Sequence, residues 1–369
     1  MLASEAAELP SKEQETNVRR VQRTGRTSLA VTLPKAWTGS HGVVTGTPIE
    51  LRDLGDGRLE LSIATGRATS PEHLKILQID ASDATPSLLP RLLIGAYITG
   101  NDRILITARS DLSPEVRAKV AEVAHRILGM SLVEEEPRRL EVRVFLDASK
   151  HRLSSLQSRV VRMIELELEV CSRSLETADP QLLGQLPNIE EEVDRFYLLM
   201  ARQLLLAAND HEIAREIGVQ SHHYQMGYRL VAKMLEVIAD LIAKIGRELA
   251  AELPRGKDAE EIRQLLVRFS STLTATMRAF SSNSASEADD ALEGVHAATQ
   301  ELAELSGSLI GRSRDRENAA RFQRILSELG TGHALLVVIN ETTVNRAVEP
   351  ETTAPTGGRV LLARRPSRA

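Results

Sequence analysis

The sequence has little cysteine and few aromatic residues. Its 369 residues include one cysteine, Cys171, and only 3% Phe, Trp and Tyr together. A single cysteine excludes an internal disulfide framework and a thiolate metal cage, so the simplest setting is the reducing cytoplasm. A low aromatic content suits an alanine- and leucine-rich helical protein better than a β-rich one.

Long apolar runs are missing as well. The stretch 334–339 is typical of the runs present, whereas a membrane-spanning helix needs about 18 or more apolar residues. Residues 1–15 are acidic and polar, unlike a secretion signal, and we expect a disordered leader there. We therefore expect a cytoplasmic protein without membrane insertion.

The glycines at 95, 100 and 129 are too far apart for a phosphate-binding loop.

Basic charge is concentrated near the N-terminus, although the formal net charge of the whole chain is −5. No acidic residue occurs between Glu15 and Glu50. The basic residues of this segment are Arg19, Arg20, Arg23, Arg26 and Lys35, and any nucleic-acid contact of the chain must come from such a local patch. Such side chains neutralise phosphates, and guanidinium groups also read guanine edges.

The same segment predicts two β-hairpins. Residues 18–24 are predicted to form a strand and Gly25-Arg26 a turn, and apolar residues at 29, 31 and 33 alternate with small ones as in a half-buried strand. A short helix follows Pro34, and Gly55-Asp56-Gly57 marks a second hairpin. The run Arg-Arg-Val-Gln-Arg-Thr-Gly-Arg-Thr-Ser-Leu-Ala-Val-Thr-Leu-Pro-Lys-Ala-Trp resembles the start of the SpoVT/AbrB swapped-hairpin domain. The resemblance extends over residues 16–64. It implies an intertwined homodimer whose basic face binds DNA, and we assign DNA contact to the five basic residues of this face; a domain that only dimerises is the alternative.

Residues 70–148 alternate between the two kinds of secondary structure. The predicted strands are 74–79, 103–108, 131–135 and 140–146, and the predicted helices are 88–99 and 114–128. A small α/β domain follows from this order. Ligand sensing, spacing and dimerisation all remain open as its role.

Residues 151–348 read as two groups of three long helices, 151–254 and 257–348, which suggests an internal duplication. The predicted helices are 154–177, 189–208, 222–253, 259–281, 285–310 and 317–347. Residues 349–369 are predicted to form a disordered basic tail. The predicted fold class is therefore multidomain and mainly α, with an N-terminal β domain, a middle α/β domain and two C-terminal three-helix bundles.

Two predicted helices of the first group carry the same acidic spacing. Glu190 and Asp194 lie four residues apart on one, and Glu236 and Asp240 lie four apart on the other. Side chains at this spacing are stacked on one helix face, so antiparallel neighbours can gather four carboxylates. Oxygen ligands of this kind suit iron, manganese, magnesium or calcium.

Ordinary surface ion pairs are the competing interpretation of this spacing. Glu236 is close in sequence to Lys233, and Asp240 precedes Lys244 by four residues. Such pairs contribute roughly 0.3–0.5 kcal/mol each. The second acidic pair also lies opposite the apolar stripe of its helix, among alanines, which predicts an outward-facing position.

The run Tyr-Arg-Leu-Val-Ala-Lys-Met-Leu-Glu-Val-Ile-Ala-Asp-Leu-Ile-Ala-Lys-Ile-Gly, which begins at Tyr228, resembles the signature helix of the PhoU family of phosphate-uptake regulators. The helix that carries Glu190 and Asp194 is similar to that family's other acidic helix. The resemblance implies two three-helix bundles with a metal cluster, iron in particular, at the acidic motifs. Together with the N-terminal domain, the layout is similar to the archaeal branch that joins an AbrB-like domain to a PhoU domain.

The chain also departs from that family. Val237 stands where the signature has arginine, and the second bundle has Glu328 and His333 but no second acidic pair. We therefore expect at most one site, for iron or another divalent metal, in the first bundle. Cys171 is expected to be a buried hydrophobe, and the adjacent His222 and His223 point about 100° apart on a helix, so they cannot share one ion.

These observations predict a homodimeric, non-enzymatic regulator of phosphate uptake that binds DNA. One alternative is an adaptor that touches a phosphate transporter's ATPase or a sensor kinase through its helices. Another is a di-metal oxidase or hydrolase, although a ferritin-like site requires Glu-x-x-His pairs that these helices lack.

Overall fold

The computed structural model describes residues 18–53, 57, 59–64, 74–82, 84–85, 87–219, 222–313 and 315–349. The predicted leader, nearly all of the predicted tail, Gly55 and Asp56 of the predicted turn, and the side chains of His222 and His223 lie outside this description. The chain divides into two compact units, Met1–Ser70 and Pro71–Ala369.

The first unit contains two separate antiparallel hairpins and a short helix. Strand β1 (Gln22–Thr24) pairs with β2 (Ser28–Ala30), α1 spans Lys35–Ser40, and β3 (Ile49–Asp53) pairs with β4 (Leu59–Ile63). The first two strands are shorter than the sequence predicted. The second strand is also not half-buried as predicted: Leu29 is 70% exposed, and none of the described residues of this unit is buried. Isolated two-stranded hairpins are marginal in water, and the described residues of a single copy form no core that would stabilise them.

The second unit begins with a mixed four-stranded sheet in the order β5-β6-β8-β7. Its elements are β5 (Ile76–Asp80), α2 (Leu88–Ile98), β6 (Arg103–Thr107), α3 (Pro114–Arg126), β7 (Met130–Glu136) and β8 (Arg139–Val144). β5 and β6 are parallel and joined through α2, whereas the other two pairs are antiparallel. Apolar side chains of β6 and β8, such as Ile104 and Val142, pack against α2 and α3 and form a core of their own. The prediction of alternating strands and helices is confirmed here to within a few residues at each end.

Seven α-helices, all long except α6, make up most of the rest of the second unit. They are α4 (Leu153–Thr177), α5 (Leu186–Ala207), α6 (His211–Ile217), α7 (His222–Ala251), α8 (Lys257–Ser282), α9 (Ala285–Gly311) and α10 (Arg316–Ala347). α4, α5 and α7 pack together, as do α8, α9 and α10. The two groups share one continuous core because α4 packs on α8 and α7 packs on α10. No described helix is both long and apolar enough to cross a membrane.

Helix α7 is buried on more sides than its sequence pattern indicated. Its main apolar stripe, which includes Leu235 and Ile238, is fully buried, and the opposite face with Ala232, Ala239 and Ala243 is buried too. These small side chains allow neighbouring helices to approach closely. The prediction that the acidic pair on this face points outward is therefore wrong: the alanines mark a packed helix contact.

Candidate functional site

Three of the four predicted metal ligands come together between α5 and α7. The two helices pack side by side in opposite directions, so that Tyr197 accepts a hydrogen bond from Arg229 (3.0 Å) at one level. At the next level Glu190 and Asp194 of α5 lie against Asp240 of α7. One oxygen from each of these three carboxylates lies within 4.8 Å of the other two. All three side chains are partly buried.

Helix α4 adds a fourth carboxylate that the acidic spacing did not identify. Glu167 is 0% exposed, and neither of its carboxylate oxygens has a hydrogen-bond partner. The charges of Glu190 and Asp240 act on it, although it is not one of the three carboxylates whose oxygens lie within 4.8 Å of one another. A signal did exist in the sequence: Glu167 lies three residues after Ile164 and four before Cys171, in the apolar stripe of α4.

Glu167, Glu190 and Asp194 resist ionisation. Burial, followed by the charges of Glu190 and Asp240, raises the pKa of Glu167 to about 9. Burial and the neighbouring acids raise the pKa of Asp194 to about 6. The pKa of Glu190 is also raised, first by burial and then by Asp240. Desolvation and mutual repulsion penalise the charged forms, and a cation among these oxygens would relieve both.

Glu236, the remaining predicted ligand, lies beside the cluster. Its charge contributes to the raised pKa of Asp194. However, its carboxylate accepts a hydrogen bond from Lys233 Nζ at 2.5 Å, so the ion-pair interpretation holds for this residue. Lys244 was the expected ion-pair partner of Asp240, but in the structure Lys244 Nζ lies 3.9 Å from Oε2 of Glu328 on α10.

The donor set is suited to holding a cation rather than to nucleophilic chemistry. Glu167, Glu190, Asp194 and Asp240 offer only carboxylate oxygens, which are the ligands preferred by hard divalent ions. The nearby thiol of Cys171 is fully buried, as expected, and burial raises its pKa to about 12. It is therefore protonated near neutral pH and is not available as a nucleophile.

The acidic and imidazole groups of the second bundle do not join this cluster. Glu328 lies near Lys244, as described above. His333 is 3% exposed and packs against Phe269, with ring centroids 5.2 Å apart. Burial, with the nearby Arg268, lowers the pKa of His333 to about 4, so the ring is neutral at physiological pH.

The five basic residues assigned to DNA contact all lie in the first unit and are all exposed. Arg19 and Arg20 precede β1, Arg23 lies within it, Arg26 lies in the turn to β2, and Lys35 begins α1. The hairpin thus carries its basic side chains over a short stretch of accessible surface.

Comparison with known proteins places a domain family on the helices that carry the site. Residues 158–249, which run from α4 to the end of α7, match the PhoU domain, and all four carboxylates lie inside this segment. This chain is similar to the crystal structure of the phosphate transport system regulatory protein PhoU from Streptococcus pneumoniae. The alignment covers 53% of this chain and 94% of the PhoU chain, with 19% sequence identity and a TM-score of 0.43. No curated protein matches the chain.

Proposed function

We propose that this protein is a regulator of phosphate transport whose PhoU domain binds a divalent cation through Glu167, Glu190, Asp194 and Asp240. The observation that carries the proposal is the group of three carboxylates within 4.8 Å of one another, beside Glu167, a fully buried carboxyl group without a hydrogen-bond partner on which the charges of Glu190 and Asp240 act. A buried polar group of this kind costs free energy unless a ligand or proton satisfies it. The match of the same segment to the PhoU domain supports the regulatory role.

Iron and manganese are the cations that we favour, and other hard divalent ions remain compatible with oxygen ligands. When bound, the ion would neutralise the repulsion among the carboxylates and link three helices. The chain's own residues position these side chains: the α7 alanines permit close packing, and Glu167 is buried within the apolar stripe of α4. The bound ion acts as a structural and regulatory element, and we assign no catalysis to it.

Metal content tests the cation site directly. The full chain is stripped with chelator, loaded with Mn²⁺, desalted and subjected to elemental analysis beside Asp194→Ala and Asp240→Ala. We expect about one ion per chain for the unsubstituted protein, because the three carboxylate oxygens within 4.8 Å of one another can share one ion, with water completing its coordination. Both variants should lose most of the metal. Glu236→Ala is the matched control and should retain it, because its carboxylate is already paired with Lys233. Equal metal in all four preparations would remove the cluster as a site.

We infer that the first unit supplies the output by binding DNA as a homodimer. Its two hairpins have no buried side chain among the described residues, although apolar residues such as Leu29, Leu51 and Leu59 are more than half exposed. A second copy, as in a swapped-hairpin dimer, would bury these surfaces and provide the missing core. Pairing two copies would also double the exposed basic surface available to phosphates.

A salt-dependent gel-shift titration tests the DNA-binding output. Promoter DNA of phosphate-transport genes is titrated with the full chain and with a triple variant, Arg19→Gln, Arg20→Gln and Arg23→Gln. The variant should bind more weakly, with a salt slope reduced by about 1 for each lost phosphate contact. Arg138→Gln, at a 67% exposed arginine of the second unit, is the control. If the dimer binds no DNA with or without Mn²⁺, the adaptor role, acting on a transporter ATPase or a sensor kinase, replaces the DNA-binding one.

A further inference from the structure

A side chain of the α/β layer reaches the carboxylate site. Arg126 is the last residue of α3. Its Nη2 lies 3.7 Å from Asp194 Oδ2, and its Nε lies 3.9 Å from Glu191 Oε1. Its backbone carbonyl accepts a hydrogen bond from Arg195 Nε at 3.1 Å. The guanidinium therefore approaches one of the proposed ligands from outside the helical bundle, and the side chain and the carbonyl of Arg126 together join the end of α3 to α5.

Helix α5 serves both the carboxylate site and the α/β layer. Glu190, Asp194, Leu198 and Arg202 follow one another at intervals of four, so they lie along one face of the helix. Leu198 packs against the core of the α/β layer. Arg202 anchors that layer: it is 3% exposed and donates hydrogen bonds to the carbonyls of residues 97 and 101, and to the carboxylate of residue 102.

We propose that Arg126 is an internal counter-cation of the carboxylate site and that a divalent cation bound there displaces it, so that cation occupancy loosens the C-terminal end of α3 from α5. This inference rests on the cation site proposed above. It adds a regulatory connection, because the state of the helical bundle would be transmitted to the α/β layer through one side chain.

Charge repulsion and geometry both favour displacement. A hard divalent ion binds carboxylate oxygens at roughly 2.0–2.6 Å, which would place a second positive charge close to the guanidinium. Arg126 can leave, because its side chain is 50% exposed and its two ion pairs are long. Arg202 cannot, because it is buried. The response is therefore confined to the end of α3.

Other cations near the site have separate partners or roles. Arg195 pairs with Glu192 at 2.8 Å and Glu191 at 3.2 Å, and Lys233 pairs with Glu236. Arg247 lowers the pKa of Glu190, as Arg126 does. Among these, Arg126 is the cation that the α/β layer contributes, which makes it the residue through which the layer senses occupancy.

Calorimetric titration with Mn²⁺ tests the proposal on the full, chelator-stripped chain. Arg126→Gln should bind Mn²⁺ about three- to tenfold more tightly than the unsubstituted protein, because a competing charge is removed while the backbone contact to Arg195 remains. Arg126→Lys should restore an affinity near that of the unsubstituted protein. The matched control is Arg117→Gln, since Arg117 lies on the same helix and forms an ion pair of similar length, 3.8 Å, with Glu135 away from the site. Its Mn²⁺ affinity should be unchanged.

Hydrogen exchange supplies a second measurement that does not depend on affinity. Addition of Mn²⁺ should accelerate amide exchange in residues 122–128 of the unsubstituted protein and should have little effect there in Arg126→Gln, because binding and docking are reciprocally coupled. If the unsubstituted chain binds Mn²⁺ but Arg126→Gln binds equally or more weakly, displacement is refuted and the cation site stands. If the unsubstituted chain binds no Mn²⁺, the site and the displacement fall together.

Discussion

Replacing Glu167 by glutamine should stabilise the metal-free protein. The substitution keeps the shape of the side chain and removes its ability to ionise. In the folded chain Glu167 is fully buried, and burial together with two neighbouring acids raises its pKa to about 9 from the ordinary value of 4.5. An acid whose pKa is raised by folding must take up a proton to fold at any pH between these two values.

The size of the effect follows from the pKa difference. The stability contribution of this group is fully present below about pH 4.5 and falls by about 1.4 kcal/mol for each pH unit above it, until the folded pKa is reached. At pH 7 the ionisable carboxyl therefore costs about 3 kcal/mol relative to a neutral group in the same place. Glu167→Gln should be more stable by about that amount at pH 7, and the advantage should shrink toward zero near pH 4.5.

Urea unfolding followed by far-UV circular dichroism, in chelator and at a series of pH values, measures this difference. Glu169→Gln is the control, because Glu169 is an exposed acid on the same helix. Its free energy of unfolding should stay within about 0.5 kcal/mol of the unsubstituted value. Parallel stability curves for the unsubstituted protein and Glu167→Gln from pH 5 to pH 8 would refute the reasoning, since they would mean that Glu167 gains no proton on folding.

Three further substitutions probe the second unit. Arg202→Met should lower the free energy of urea unfolding by about 2 to 4 kcal/mol, because it leaves Asp102 and two carbonyls without their buried donor. Gly332→Ala should lower the thermal midpoint and cost about 1 to 3 kcal/mol, because the added methyl carbon would lie 2.6 Å from Phe269 Cε2. When the pH is lowered from 6.5 to 4, the free energy of urea unfolding should fall less for His333→Leu than for the unsubstituted protein. The pKa of His333 is lowered to about 4 in the folded protein, so this side chain takes up a proton in the unfolded chain at a higher pH than in the folded one. Equal losses in that last comparison would mean that His333 is protonated in the folded protein.

Most helices of the second unit could be predicted from local signals. The break at Asp179-Pro180 and the break at Pro254-Arg255-Gly256 separate long apolar stripes, and the observed helices end close to both. Helix α6 was missed. Its caps were visible, since the Asp210 side chain accepts from two backbone N–H groups and Gly218 ends the helix in the left-handed region. Seven residues are too few for a periodic apolar pattern, so the two capping residues were the only sequence signal for this helix.

The candidate site was predictable only where spacing carried the information. Glu190, Asp194 and Asp240 were found because a four-residue interval places carboxylates on one helix face, and the structure gathers them. Glu167 is a single acid within an apolar stripe, and its relation to the cluster arises from how α4 packs against α5 and α7. Glu236 has the right spacing, but its carboxylate forms an ion pair with Lys233, three residues away. Spacing within one helix does not show which neighbouring group will pair with a given side chain.

Stability and cation binding should therefore oppose each other at Glu167. Without a cation, burial favours the protonated carboxyl of Glu167, and the approach of Arg126 partly offsets the charge of Asp194. Glutamine satisfies the metal-free state better, yet it offers one weak oxygen ligand where the cation would find a carboxylate. Glu167→Gln should thus unfold at higher urea concentration and bind Mn²⁺ more weakly. A misfolded variant would lose both properties, so gain of one with loss of the other identifies a residue whose burial serves the bound state.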